Sequence, residues 1–271
     1  MRHYILTRSA FGPGTPPAAN RRRLALLEGV TVPSLRAQTN RDVTWIVLVD
    51  PRDVLVKARI AAIESAGLPC IIRPAGNMLR RGGADRPQTP RWAANIDWTD
   101  GPILTTRLDD DDAFVPETLA WIRLAAASVP PTSRIVWTLP AGWRVAGRLV
   151  ERVTYPVPMF CTLQVPVDRK RQVINDVSHL SAAKLAPMHV ATDEPAWLWV
   201  RHDLTRSHQN MRPGFSIGGL GMEEPTRELK ARFPIDWDLV ESLPQRGSVV
   251  PDKDRFEARE YYEGTQARLG R

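Results

Sequence analysis

Four short runs of this chain are apolar with little or no alternation: Tyr4-Ile-Leu6, Val43-Thr-Trp-Ile-Val-Leu-Val49, Pro69-Cys-Ile-Ile72 and Pro102-Ile-Leu-Thr-Thr-Arg-Leu108. A strand with that pattern needs cover on both faces, which parallel sheets with helical crossovers provide. Helical spacing fills the gaps. Between Asn20 and Gln38, Leu24, Leu27 and Val30 share a face, and Pro33 breaks or restarts the helix. Asp53 to Ala66 turns Val56, Ile60 and Ile63 inward and stops at Gly67, and Pro116 to Val129 does the same with Leu119, Ile122 and Ala126. This alternation predicts an α/β fold with a mixed, mostly parallel central sheet flanked by helices.

From Arg134 onward the pieces shorten, with Gly142-Trp-Arg-Val145 and Leu149-Val-Glu-Arg-Val-Thr-Tyr155 bounded by turn residues. They predict a small antiparallel extension. Trp197-Leu-Trp-Val200 reads as a further strand with Trp197 and Trp199 on one face. Residues 74 to 91, rich in glycine, arginine and proline, read as a long loop suited to a lid.

The strand ending at Leu108 is followed by Asp109-Asp110-Asp111-Asp112. Four adjacent carboxylates repel one another, and a divalent cation with oxygen ligands, Mg2+ or Mn2+, is a natural way to hold them together. In open α/β sheets ligands bind outside the carboxyl ends of the strands, where this cluster sits. The alternative reading is that the aspartates favour the N-terminus of the next helix, but capping needs one or two carboxylates and not four.

Composition narrows the partners. With 271 residues, 43% hydrophobic and 25% charged, the chain suits one large domain with a sizeable core. No run of about 18 apolar residues marks a membrane span, and the first residues reach a charge too early for a signal peptide, so the expected location is cytoplasmic. Cys70 and Cys161 lack the spacing of zinc or redox pairs and read as reduced thiols. The net charge of +7 favours anionic partners and permits peripheral contact with an anionic membrane face. The arginines are scattered, as in Arg21-Arg22-Arg23, and no nucleic-acid reading motif accompanies them, so no specific nucleic acid is expected.

Three segments in order, Tyr4-Ile-Leu-Thr-Arg8, Val32-Pro-Ser-Leu-Arg-Ala-Gln-Thr39 with Trp45-Ile-Val-Leu-Val-Asp50, and Thr105-Thr-Arg-Leu-Asp-Asp-Asp-Asp-Ala113, resemble the bacterial rhamnosyltransferase family related to family 2 glycosyltransferases of the GT-A fold. Pro195-Ala-Trp-Leu-Trp-Val-Arg-His202 resembles the family's later proline, tryptophan and histidine segment. The resemblance runs from residue 4 to about 208. It implies a single catalytic domain over residues 1–251, with a nucleotide- and metal-binding half (1–115), an acceptor half (116–251), and a peripheral helix or tail at 252–271.

The implied activity is metal-dependent transfer of a sugar from a nucleotide-sugar donor to a carbohydrate or glycolipid acceptor, with inversion, in surface glycan synthesis. Asp109, Asp111, Asp112 and His202 are the implied metal ligands, and Mn2+ or Mg2+ the implied cofactor. Thr7, Arg8, Asp50, Arg91, Asn95, Arg107, Asp109 and Asp110 are implied to face the donor, with Asp50 at the nucleobase. Arg206 and His208 are further phosphate candidates.

Inversion needs a base for the acceptor hydroxyl, and Asp193 and Glu194 are the candidates, with Asp176 or Glu223 as substitutes. Trp143, Trp197 and Trp199 offer stacking faces, although large aromatics belong more often to the core. Two other readings stay open. A nucleotidyltransferase uses a similar sheet but opens with a glycine-rich phosphate loop, whereas Gly12 and Gly14 here stand among prolines. A non-catalytic carbohydrate- or nucleotide-binding protein retains fold and site without turnover.

Overall fold

A computed structural model describes residues 1–9, 16–75, 92–99, 101–154, 159–166, 171–177, 179–202 and 223–243. The expected lid (apart from its first residues, 74–75), Arg91, Arg206, His208 and the 252–271 tail lie outside the described residues.

The first strand, β1 (Arg2–Ser9), leads to α1 (Pro17–Leu26), a π-helical turn (Leu27–Thr31) and α2 (Val32–Arg36). Then come β2 (Thr44–Val49), α3 (Val56–Glu64), β3 (Cys70–Pro74), β4 (Ile103–Arg107), the two-residue β5 (Ala113–Phe114) and α4 (Thr118–Ala127). The remaining elements are β6 (Ile135–Thr138), β7 (Ala141–Ala146), β8 (Leu149–Thr154), β9 (Cys161–Val165), β10 (Met188–Val190), β11 (Trp197–Arg201), α5 (Arg227–Arg232) and α6 (Trp237–Ser242).

Seven strands make the main sheet in the order β10-β6-β9-β4-β1-β2-β3, all parallel except β9. From β1 the chain moves outward through β2 and β3, then returns to β4 on the other side of β1. That reversal opens a crevice at the carboxyl ends of β1 and β4, where α/β sheets bind ligands. The expected apolar burial on both faces is present: Ile5, Trp45 and Val47 pack with Leu35, Ile63 and Ile122, while Tyr4, Leu6, Ile46 and Leu48 pack with Trp92, Ile96 and Ile174 on the opposite side.

A second sheet, β5-β11-β7-β8, supplies the expected extension, antiparallel apart from the β11–β7 pair. Period two holds along β11: Trp197 and Trp199 enter the main core, while Leu198 and Val200 join Leu26, Val30, Phe233, Trp237 and Val240. Both tryptophans are therefore core residues. Gly142 on β7 is required by this packing, since a Cβ there would lie 2.1 Å from the Trp197 indole.

The helix from residue 17 continues to Arg36 through the π-helical turn, and Pro33 sits in the first turn of α2. The wider turn leaves a carbonyl for outside partners, and Gly29 O accepts from Asp236 N at 2.7 Å, tying the C-terminal helices to this one. On α3 the inward face differs from the expected one. Arg59, Ala62 and Ile63 are buried, whereas Val56 and Ile60 are half-buried, because the strand-end carboxylates described below draw Arg59 inside. Among the described residues no helix is long and apolar enough to cross a membrane.

His3 on β1 is buried, with Nε2 2.6 Å from Thr106 Oγ1. Burial, and secondarily the charge of Arg123, push its imidazole down to about 3. The unfolded ring takes a proton near pH 6.5 and the folded ring only near 3, so between these values the unfolded state binds more protons. Its stability contribution is complete above pH 6.5 and is lost as the pH falls toward 3, with a slope of up to about 1.4 kcal/mol per pH unit. Urea melts at pH 7 and pH 4.5 are expected to show a smaller acid loss for His3→Gln than for wild type. Equal losses would exclude His3 as a source of acid sensitivity.

Candidate active site

The crevice is built from the polar ends of two apolar strands. At the end of β1, Ser9 is buried and Arg8 is exposed. After β4 the chain turns through the four aspartates, of which Asp109 is exposed and Asp110, Asp111 and Asp112 are buried. They do not cap α4, whose N-cap is Glu117.

Each buried carboxylate has a different partner. Asp112 Oδ1 accepts from Val200 N at 3.0 Å, and its own carbonyl accepts from Thr31 Oγ1 at 3.0 Å, so this residue stitches the turn to β11 and the π-helical segment. Burial first, then the charges of Asp111 and Asp109, push its carboxyl well above the usual range. Asp110 Oδ2 accepts from Ser9 Oγ at 2.6 Å, and Ser9 Oγ in turn accepts from Arg59 at 3.0 Å. Arg59 is completely buried, pairs with Asp53 at 3.1 Å and lies 3.7 Å from Asp110.

Asp111 meets His202, which follows β11 in the second sheet, with Nε2 3.0 Å from Oδ2. Arg23 of α1 completes the group: one guanidinium nitrogen donates to Asp110 Oδ1 and the other to Asp111 Oδ2. Burial opposes ionisation of Asp111, but Arg23 and the hydrogen bond from His202 outweigh it and hold the carboxyl below its usual range. The mutual repulsion of the aspartates is thus relieved within the chain by two guanidinium groups.

Of the residues implied to bind metal, the structure brings Asp111 and His202 together, leaves Asp109 on the exposed rim and engages Asp112 with backbone. Among the described residues no group of three or more His, Cys, Asp or Glu side chains is arranged to hold a metal. Thr7 is buried and accepts from Trp45 Nε1 at 2.8 Å, facing the core. At the end of β2, Asp50 is gripped by Arg52 through 2.9 and 3.0 Å bonds, which, led by the side-chain hydrogen bond, hold its carboxyl below the usual range.

Arg107 donates to Val177 O at 2.6 Å and so positions the 174–177 segment, while Asn95 accepts from Arg73 at 2.8 Å. Asp193 and Glu194 are exposed before the start of β11, and Glu194 pairs with Arg232 at 3.6 Å. His202 lies past the other end of that five-residue strand, which is about 16 Å long at the usual rise per residue. Asp176 Oδ2 accepts from Val173 N at 3.0 Å, and Glu223 bridges Val150 through backbone.

Ser9, Arg23 and Arg59 escaped the sequence reading. A signal for the two arginines exists: Arg23 stands three and four residues before Leu26 and Leu27, and Arg59 three and four before Ala62 and Ile63, so each shares a helix's buried stripe.

A family model described as "Putative rhamnosyl transferase" matches residues 17–213. The chain belongs to that family. The family match begins at α1, which carries Arg23, and ends beyond His202. No curated protein matches the chain in sequence.

Among solved structures, the chain is similar to TarS of S. aureus, at 14% identity over 73% of this chain and 36% of TarS, with a TM-score of 0.42. It is also similar to the mannosyltransferase PcManGT from Pyrobaculum calidifontis, solved with GDP-Man and Mn2+, at 13% identity over 75% of this chain and 58% of that one, with a TM-score of 0.45. GlyE of Streptococcus pneumoniae TIGR4 is 12% identical over 92% of this chain and 66% of its own, with a TM-score of 0.39. The chain spans about a third of TarS and less than two thirds of the other two.

Proposed function

We propose that the chain transfers a sugar, with inversion, from a nucleotide-diphosphate donor to a hydroxyl group of a carbohydrate or glycolipid acceptor, using a divalent cation. The family name favours rhamnose as the sugar. The observation that carries this reading is the meeting of Asp111 from the main sheet with His202 from the second sheet at the mouth of the β1/β4 crevice.

A carboxylate oxygen and an imidazole nitrogen 3.0 Å apart are chemically suited to Mn2+, and the carboxylates without the imidazole to Mg2+, cations that complete their shell with water and phosphate oxygens. Asp111 and His202 would hold the ion, with Asp109 available from the rim. When bound, it neutralises charge on the departing diphosphate.

The chain's own residues do the positioning. Asp112 holds the turn to β11 and so fixes Asp111 opposite His202. Arg8, exposed at the end of β1, supplies positive charge beside the crevice, and Asp50 with Arg52 lies at the end of the adjacent strand, on the side suited to a nucleobase. A general base must come within about 3 Å of the acceptor hydroxyl. Asp193 and Glu194, exposed before the start of β11, are the candidates for that base.

Thermal melts with UDP, GDP, dTDP or CDP, each with and without Mn2+, test the reading. One nucleotide is expected to stabilise the protein only with metal, by about 2.7 kcal/mol at a hundredfold excess over Kd. No metal-dependent response to any of the four would reject a nucleotide-sugar site. Release of a nucleoside diphosphate during turnover, and not of pyrophosphate, separates sugar transfer from nucleotidyl transfer.

A further inference from the structure

The side chain most at odds with a metal between Asp111 and His202 is Arg23. It comes from α1, a helix whose only buried residue is Leu26, yet its own side chain is only 11% exposed. Its guanidinium bridges Asp110 Oδ1 and Asp111 Oδ2, and the nitrogen on Asp111 also lies 3.5 Å from His202 Nε2. Asp111 Oδ2 therefore receives Arg23 and His202 together, and it is the oxygen through which an Asp111–His202 metal would bind. A guanidinium and a divalent ion cannot share that oxygen, because like charges within about 4 Å repel strongly where water is scarce.

We infer that Arg23 is a built-in competitor of the divalent cation: it neutralises Asp110 and Asp111 when no metal is bound and must leave Asp111 before metal can bind there. This inference rests on the metal reading of the Asp111–His202 pair. The local structure suits such an exchange. Asp110 keeps Ser9 and Arg59 as partners after Arg23 departs, and Asp112 keeps its bond from Val200, so the turn retains its shape. The helix itself stays in place, held by Leu26, Leu27 and Val30, so the exchange needs only the long Arg23 side chain to swing to another rotamer.

The test is Mn2+ binding without nucleotide, read by electron paramagnetic resonance of the free ion, on the full chain. Arg23→Gln is expected to bind Mn2+ at least roughly tenfold tighter than wild type, corresponding to about 1.4 kcal/mol. Arg23→Lys, which keeps the charge but not the two-pronged geometry, is expected to fall between them and serves if the glutamine variant does not fold. The gain is expected to vanish in Arg23→Gln/Asp111→Asn. Equal or weaker binding by both Arg23 variants, with Asp111-dependent binding in wild type, would overturn the competition and leave the metal reading standing. Absence of Mn2+ binding in every form would overturn both.

Discussion

Replacing Asp111 by Asn is expected to lower transfer turnover by roughly 100- to 1,000-fold while leaving the fold intact, an effect of the size seen when one charge-stabilising group is removed from a reaction centre. The carboxylate is nearly isosteric with the amide, but the negative charge that faces His202 and the proposed cation is lost. Asp112→Asn is the informative comparison. An amide oxygen still accepts from Val200 N, so turnover is expected to change by only a few-fold. Steady-state kinetics of both variants decide the matter. If Asp112→Asn is as damaging as Asp111→Asn, Asp112 acts on the donor as well as holding the turn. If Asp111→Asn retains near-normal turnover, the reaction does not depend on the Asp111–His202 pair.

The largest expected effect on stability belongs to Arg59→Met. Arg59 is fully buried, pairs with Asp53 at 3.1 Å and reaches Asp110 both directly, at 3.7 Å, and through Ser9. Methionine fills much of the volume but leaves Asp53 without its cation and takes one of two cations from Asp110. Breaking a buried ion pair from one side costs about 3 to 5 kcal/mol, because the remaining charge stays desolvated. For a chain of this size the melting temperature should fall by roughly 10 °C. Arg59→Met/Asp53→Asn should recover part of the loss, since it removes the stranded charge. A decrease below about 1 kcal/mol for the single variant would show that water reaches these carboxylates after the change.

The two predictions separate functions that the run of four aspartates combines. Asp109 is exposed, Asp110 belongs to the Ser9 and Arg59 network, Asp111 faces His202, and Asp112 is part of the framework. Identical side chains in one turn thus have four environments. The backbone points successive residues in different directions, and each direction meets a different element.

The amino-acid sequence by itself determined the layers of this protein. Continuous apolar runs such as Thr44–Val49 can be buried only between two covered faces, and the spacing of Leu119, Ile122 and Ala126 dictates a helix on one of them. It also located the acidic turn at a strand's carboxyl end, and the alternation along Trp197–Arg201 was legible because a strand's period is local. These features depend on residues within a few positions of one another.

What only the tertiary structure decided are the pairings across long separations. Arg23 reaches Asp110 and Asp111, His202 meets Asp111 from another sheet, and Arg59 supports Asp110 through Ser9. In sequence Arg23 is one of three consecutive arginines, a pattern typical of solvated surface. Its place on the stripe of Leu26 and Leu27 is the one local sign, but the reason for its burial is the field of carboxylates almost ninety residues away. Charge attraction acts between points in space, and only the fold of the two sheets around the β1/β4 crevice brought these points together.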